Sequence, residues 1–411
     1  MEPTTHVFCS CSSARIWIFV KIAFDSHLNG TQKSRYVLAD QVGLGKTIQL
    51  ARLAQLIALM GSKPILVICP KALVWQWQDE MSSLLDMPSA VWEKRRWVDE
   101  NGFVYPSFGQ EGIKKCPRRI GIVSSGLMTH QTEASQYLLN LDYDCVILDE
   151  AHRARRKNLG PTHDHENPEP NNLLSFMMEI APRTRSLFLA TATPVQLRPI
   201  EAWDLLNILS HGDDSVLGNR FSRWRQAKTS LDLVMGISNY PEDEVTQWEW
   251  VCNPLPDKEE HIHFQILRRS LEIDDQTTCL PGDSYQKLRE PDRARVRHAF
   301  VEMIQHHNPF IRRIVRRTRH QLETQIDPET NEPLLKPIEV ILYGEGEDEA
   351  IPLPIFLNDA YKIAEDFCHG LGKGSGFLKT LLLRRMGSSI FAGLLTAQRM
   401  LSDWEIVSVN E

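Results

Sequence analysis

From Arg35 onward the apolar and polar positions fall into blocks whose period changes. "YVLA" (36–39) reads as a short apolar strand, and past a Gly-rich turn "IQLARLAQLIALM" (48–60) sets Leu50, Leu53/Ala54 and Ile57/Ala58 at helical spacing, with Gly61 as the stop. Further continuous apolar runs follow at "PILVICP" (64–70), "IGIVSS" (120–125), "CVILD" (145–149) and "LFLAT" (187–191), with helical or loop sequence between them. Short buried strands alternating with helices predict a mostly parallel central sheet covered on both faces, a three-layer α/β domain.

The polar, Pro/Asn-rich stretch 153–172 predicts an exposed loop, and after about Gly212 the strand signals fade. Pro291 opens a helix striped by Val296, Ala299/Phe300 and Met303/Ile304 and ended by Asn308 and Pro309. A second helix is predicted to follow, with Ile311 and Ile314/Val315 inside and Arg312, Arg313, Arg316, Arg317 and Arg319 on a wet outer face. The tail from Pro352 reads as mostly helical, broken at "GLGKGSG" (370–376). Near the start, "IWIFVKIAF" (16–24) fits either a strand or a helix. The predicted organisation is an atypical segment 1–30, an α/β domain 31–212 and a mainly α-helical extension 213–411.

Composition changes this picture little. A chain of 411 residues with 42% hydrophobic and 24% charged positions has room for two or three globular domains. The net charge of −7 excludes a generally basic coat, so any nucleic-acid contact must come from local clusters. Eight cysteines without a C-x-x-C pair favour a reducing, intracellular compartment. The apolar stretch Ile16 to Phe24 is broken by Lys21, too short for a bilayer and without a basic leader, so no membrane segment is expected.

The chemistry begins at "DQVGLGKT" (40–47). Gly43 and Gly45 let backbone N–H groups approach a polyphosphate, Lys46 can reach its β and γ phosphates, and the Thr47 hydroxyl can ligate Mg²⁺. The following helix turns its positive end to the same anion, and Leu44 and Ile48 complete the run Gly43 to Ile48. Alone, these residues also fit a flexible Gly/Lys turn. At "YDCVILDEAH" (143–152) a strand ends in two carboxylates, Asp149 for the metal and Glu150 to orient and activate water. A strand running into an acidic helix start is the plainer reading, which the loop upstream disfavours. At "ATATPVQ" (190–196) small hydroxylated residues at another strand end can sense the γ phosphate.

In this order the motifs resemble those of the Swi/Snf-like double-stranded-DNA translocases of helicase superfamily 2. "LADQVGLGKTIQ" is similar to their motif I, "LVICPKALVWQWQDE" to motif Ia, "IVSSGLM" to motif Ib, "VILDEAH" to motif II and "ATATPVQL" to motif III. Val42, "TATPVQL" and "NPFIRRIVRRTR" lean toward the RapA-like branch, which associates with RNA polymerase. The resemblance, covering roughly Arg35 to Arg319, implies a RecA-like first lobe using ATP and Mg²⁺. It implies Lys46 on the phosphates, Thr47 and Asp149 on Mg²⁺, Glu150 as the water-activating carboxylate, and His152 linking hydrolysis to Thr191 and Thr193. Pro70, Lys71, Ser124 and Ser125 would lie along one strand of duplex DNA, holding it without reading its sequence. The implied partners are double-stranded DNA and RNA polymerase or another protein complex. The implied place is the bacterial nucleoid within the cytoplasm, or the nucleus of a eukaryote.

The sequence departs from the pattern in three places. Gln41 stands where the family usually has an acidic residue, no glutamine-containing adenine motif precedes the loop, and nothing resembles motifs V and VI, whose arginines come from a second lobe. That lobe is expected from elsewhere in cis or trans. A supplied arginine finger is worth roughly 10³ to 10⁵ in rate, so the chain alone is expected to hydrolyse ATP weakly.

Several clusters stay open between a solvated surface and a contact: Arg153, Arg155, Arg156 and Lys157, and likewise Lys114, Lys115, Arg118 and Arg119. His163, Asp164 and His165 lack a second ligand group for a metal. Cys9 and Cys11 are read the same way, and Trp75 and Trp77 are read as core. Two rival functions remain, a DEAH-type RNA helicase and a non-catalytic nucleotide-binding scaffold or subunit of a defence or transcription complex. Against the first, "VGLGKT" and "TATP" stand in place of "TGSGKT" and "SAT".

Overall fold

The computed structural model describes residues 18–28, 33–160, 163–326, 331–336, 355–369 and 375–403. Cys9, Cys11 and most of the "GLGKGSG" break lie outside the described residues. The chain divides into two compact units, residues 1–336 and 337–411. The second holds helices Ile355–His369, Ser375–Ser388 and Ile390–Asp403, with Ala364, Leu382 and Met386 buried among them.

The first unit is built on eight strands: β1 Arg35–Leu38, β2 Ile65–Cys69, β3 Ala90–Glu93, β4 Arg96–Asp99, β5 Ile120–Ser124, β6 Tyr143–Leu148, β7 Thr184–Ala190 and β8 Ile314–Val315. They form one sheet in the order β4-β3-β5-β2-β6-β7-β1-β8. Every pairing is parallel except that of β3 with β4. Strands buried on both faces must be apolar throughout, which is why the central runs show no alternation in sequence. The alternation reappears in space. Ile65, Val67, Cys145 and Ile147 point into one core with Leu50, Leu53 and Trp77, while Leu66, Ile68, Val146 and Leu148 point into the other with Leu174, Met177 and Leu206.

The first core is capped by helices α1 (Ile18–Leu28), α2 (Lys46–Met60) and α3 (Val74–Leu85). Of the two readings of "IWIFVKIAF", the helix is found from Ile18, with Phe19 set edge-on to Tyr36 and Phe188. Gly61 ends α2 as predicted. A Cβ there would lie 2.2 Å from Asp144 Oδ2.

The helices after residue 212 belong to this same unit. They are stitched together by tryptophans: Trp203 Nε1 donates to Trp224 O at 2.9 Å, Trp224 Nε1 to Trp250 O at 2.8 Å, and Trp248 Nε1 to Ser284 Oγ at 3.1 Å. The predicted stripe Val296, Ala299, Phe300, Met303 and Ile304 is buried, on two short helices joined by a 3-10 turn.

Four expectations need correction. The helix through 311–319 stops at Arg313, because Ile314–Val315 pairs in parallel with β1 as strand β8. Three of its five arginines are not on a wet face: Arg312 pairs with Glu260, Arg313 is buried and donates to Ser215 O at 3.1 Å, and Arg317 pairs with Asp40, while Arg316 is exposed as expected. Arg156 is neither solvated nor free for a partner, being 1% exposed and paired with Asp204 at 2.6 Å. Trp75 is 37% exposed rather than core.

Candidate nucleotide site

The glycine loop leaves the end of β1 and enters α2. Gly43 (φ 83°) and Gly45 (φ 71°) take the left-handed backbone that glycine adopts without strain, and a Cβ on either would meet nothing within 4 Å. The loop therefore has open space above it, which suits a polyphosphate. Lys46 Nζ folds back on the loop, donating to Asp40 O at 2.8 Å and Gln41 O at 3.3 Å. Burial pulls its pKa below the ordinary lysine value, while Asp40, Asp149 and Glu150 pull the other way. The acidic pair thus acts electrostatically on the same ammonium that the loop presents.

β6 and β1 flank β7, so "DEAH" and the glycine loop emerge on either side of the "TATP" loop. Asp149 is held on two sides: its Oδ2 accepts from Trp77 Nε1 at 2.9 Å and its Oδ1 from the Glu150 N–H at 2.9 Å. Glu150 sits in the left-handed region at φ 53°. His152 Nδ1 lies 3.2 Å from both Glu150 Oε2 and Thr191 Oγ1, and Thr191 Oγ1 accepts the Thr193 N–H at 3.1 Å. A continuous polar path therefore joins the acidic loop to the end of β7. Burial lowers the His152 pKa, with Glu150 opposing, so the neutral imidazole is favoured.

The residues fit a magnesium–nucleotide: Thr47 and Asp149 would hold the ion, which when bound offsets phosphate charge. Gly43, Leu44, Gly45, Lys46, Thr47 and Ile48 lie on the loop and the first turn of α2. Lys71, Ser124 and Ser125 gather elsewhere, lining a cavity of about 720 Å³, and Pro70 starts the turn that carries Lys71.

Two supports escaped the sequence. Trp77 is core, 1% exposed, yet its indole also fixes Asp149. Asp40 is fully buried and bound by Arg317 through side chain and backbone, and Arg317 Nη2 also reaches Gln49 Oε1 at 2.7 Å. Gln41, the departure from the family pattern, accepts the Arg319 N–H at 2.8 Å. Partners 277 residues apart leave no local signal. Several members of the other open clusters are paired internally: Lys114 on Glu111, Arg118 on Asp99 and Glu100, Arg119 on Asp144, His163 on Glu166 and Asp164 on Arg198. Among the described residues no group of three or more His, Cys, Asp or Glu could hold a metal ion, and no helix is long and apolar enough to cross a membrane.

A strand that feeds a glycine loop and helix, with acidic and hydroxyl-bearing loops at the next strand ends of a parallel sheet, is the construction of a RecA-like P-loop domain. Within that class the chain belongs to the SNF2-related domain family, whose profile matches residues 21–334, and it forms the first lobe of a Swi/Snf-like superfamily 2 protein. It is 28% identical over 197 residues to the uncharacterized ATP-dependent helicase YqhH of Bacillus subtilis (strain 168), covering 48% of this chain and 30% of that protein. It is 26% identical over 164 residues to the RNA polymerase-associated protein RapA of Klebsiella pneumoniae (strain 342), covering 40% of this chain and 15% of that one. The chain thus matches less than a third of the length of either relative. The solved Sulfolobus solfataricus SWI2/SNF2 ATPase core in complex with dsDNA aligns with a TM-score of 0.43 at 14% identity, over 95% of this chain and 58% of that chain.

Proposed function

We propose that the chain is the ATP-binding first lobe of a motor that couples Mg²⁺-ATP turnover to movement along duplex DNA and thereby remodels a protein–DNA complex. Lys46 with the loop amides binds the phosphates, Thr47 and Asp149 hold the metal, and Glu150 orients and deprotonates the attacking water. His152, Thr191 and Thr193 relay the state of the γ phosphate away from the acidic loop. Pro70, Lys71, Ser124 and Ser125 hold one DNA strand, and a second lobe, in cis or trans, completes the site. RNA polymerase or another protein complex is the partner to be moved, in the nucleoid of a bacterium or the nucleus of a eukaryote. The observation that supports this most is the unbroken path from Glu150 through His152 to Thr191, since a protein that only stored a nucleotide would gain nothing from it.

The test is phosphate release with and without duplex DNA, for the wild type and Glu150→Gln. A rate stimulated by duplex and lowered about 10²- to 10⁴-fold by the substitution is expected, the range for loss of a general base. Equal rates for the two proteins would leave the scaffold reading, and stimulation by RNA alone would favour the DEAH-type helicase.

A further inference from the structure

The cavity of about 720 Å³ lies along the carboxyl ends of four consecutive strands, β3, β5, β2 and β6. β3 contributes Lys94 and Arg95 from its turn into β4, β5 contributes Ser124 and Ser125, β2 is followed by Lys71, and β6 leads to Arg153. Glu93 is the only carboxylate in the lining. By contrast, Arg118 is paired with Asp99 and Glu100, and Arg156 with Asp204. The side chains of Lys71, Lys94, Arg95 and Arg153 make no hydrogen bond or ion pair among the described residues, and all four are exposed. At ~4.8 Å per strand the row spans roughly 14 Å. That is about four nucleotide rises of one strand, far more than one phosphate needs.

The turn itself is costly. Lys94 (φ 48°) and Arg95 (φ 64°) both occupy the left-handed region, a two-residue hairpin turn for which Asn-Gly is the unstrained choice. Two long cations there sacrifice turn stability for charge. The hairpin is also rigid. Trp92 packs on Trp97 at 5.2 Å, Gln78 Nε2 of α3 donates to Ser89 O at 3.0 Å and Val98 O at 3.2 Å, and Ser107 Oγ donates to Arg95 O at 3.1 Å.

We propose that the β3–β4 turn is a backbone clamp, with Lys94 and Arg95 gripping phosphates of the nucleic-acid strand that Lys71 and Ser124 hold from the neighbouring strand ends. This rests on the DNA-binding reading above and extends it to an edge hairpin outside the five motifs. The clamp takes phosphodiester charge and not base identity as its ligand, since contacts to phosphates position a strand without reading its sequence.

The test replaces the turn by its unstrained form, Lys94→Asn with Arg95→Gly, and measures binding of a fluorescein-labelled duplex across a salt series. The slope of log affinity against log salt should fall by roughly 2, about one per lost phosphate contact, for any duplex sequence. The melting temperature should stay level or rise, because the strain is gone, so weaker binding cannot be blamed on unfolding. Arg96→Gln, one residue further on and outside the cavity, should keep the wild-type slope. A hairpin variant with the wild-type slope, alongside a Lys71→Ala variant with a reduced one, would overturn the clamp and leave the DNA reading intact. An equal loss in Arg96→Gln would reduce the effect to net charge and also overturn it. A wild-type chain that does not bind duplex at all would remove both.

Discussion

The indole of Trp77 does two jobs that a sequence cannot separate. Its ring fills the core between α3 and the sheet, and its single donor is spent on Asp149 Oδ2. A hydrogen bond to a charged group contributes about 1.5–3 kcal/mol, and losing it frees the carboxylate that the metal needs in a fixed place. Trp77→Phe should therefore weaken Mg²⁺-dependent ATP binding by about tenfold or more, each 1.4 kcal/mol being a factor of ten. Binding without Mg²⁺, which relies on Lys46 and the loop amides, should change little. Calorimetric titration with and without EDTA checks this, and an equal loss in both conditions would mean that the ring alone matters. Lys46 adds a second lesson at this scale. Its ammonium rests on carbonyls of its own loop, neutral acceptors that a phosphate outcompetes, so the residue is parked beside the site and not locked away from it.

At the scale of elements, the two-residue strand β8 closes the sheet beside β1 and then crosses the loop. Ala39 N–H donates to Val315 O at 2.7 Å, Gln41 N–H to Arg317 O at 3.0 Å, and the Arg317 guanidinium seals Asp40 beneath. Breaking a buried pair by removing one partner costs about 3–5 kcal/mol. Arg317→Gln should lower the melting temperature and loosen the nucleotide loop together, with Arg317→Lys restoring only part because a point charge cannot span both carboxylate oxygens. A melt and a nucleotide titration on the same samples decide it; unchanged nucleotide affinity in the Gln variant would show that β8 braces the sheet alone. This element also marks where sequence stopped being legible. The five apolar runs read correctly as strands because strands buried on both faces need nothing but apolar residues. The glycine loop and "DEAH" stand out in the sequence because the roles proposed for them, backbone approach to phosphate and metal ligation, demand particular residue types at fixed spacing. β8 was misread as helix because "IV" between arginines has no period of its own and pairs only through a contact spanning most of the chain. The β3–β4 hairpin was missed for a related reason: "AVWEKRRWVD" places charges where turn residues usually stand.

Over the whole molecule, a chain of net charge −7 keeps four exposed, unpaired cations along one row of strand ends, while Arg156 and Arg317 pair with the buried Asp204 and Asp40. The titration of the fold follows from what is buried. His27, His152, His211 and His263 all have pKa values pulled below 6.5, in each case first by burial. The unfolded chain binds those protons near 6.5 while the folded chain does not. Between 6.5 and the lowered folded values the unfolded state holds more protons, so stability falls as pH drops through that window and is retained above it. Glu260 acts in the same direction at lower pH: burial alone would raise its pKa, but Arg312 and His307 outweigh burial and hold it at about 2, so its contribution is present above 4.5 and is lost as pH falls from there toward about 2. The urea midpoint should therefore be level from about pH 8 to about pH 7 and then decline toward about pH 5, the interval over which histidines change charge. His27 offers the cleanest dissection, since it is 2% exposed between α1 and β7 with Nδ1 2.8 Å from Ser186 Oγ, and it lies away from the nucleotide loop. His27→Gln should flatten part of the decline without altering nucleotide affinity. A midpoint that holds level down to about pH 5 would show that the buried imidazoles take up their protons in the folded state at no cost, against what their surroundings dictate.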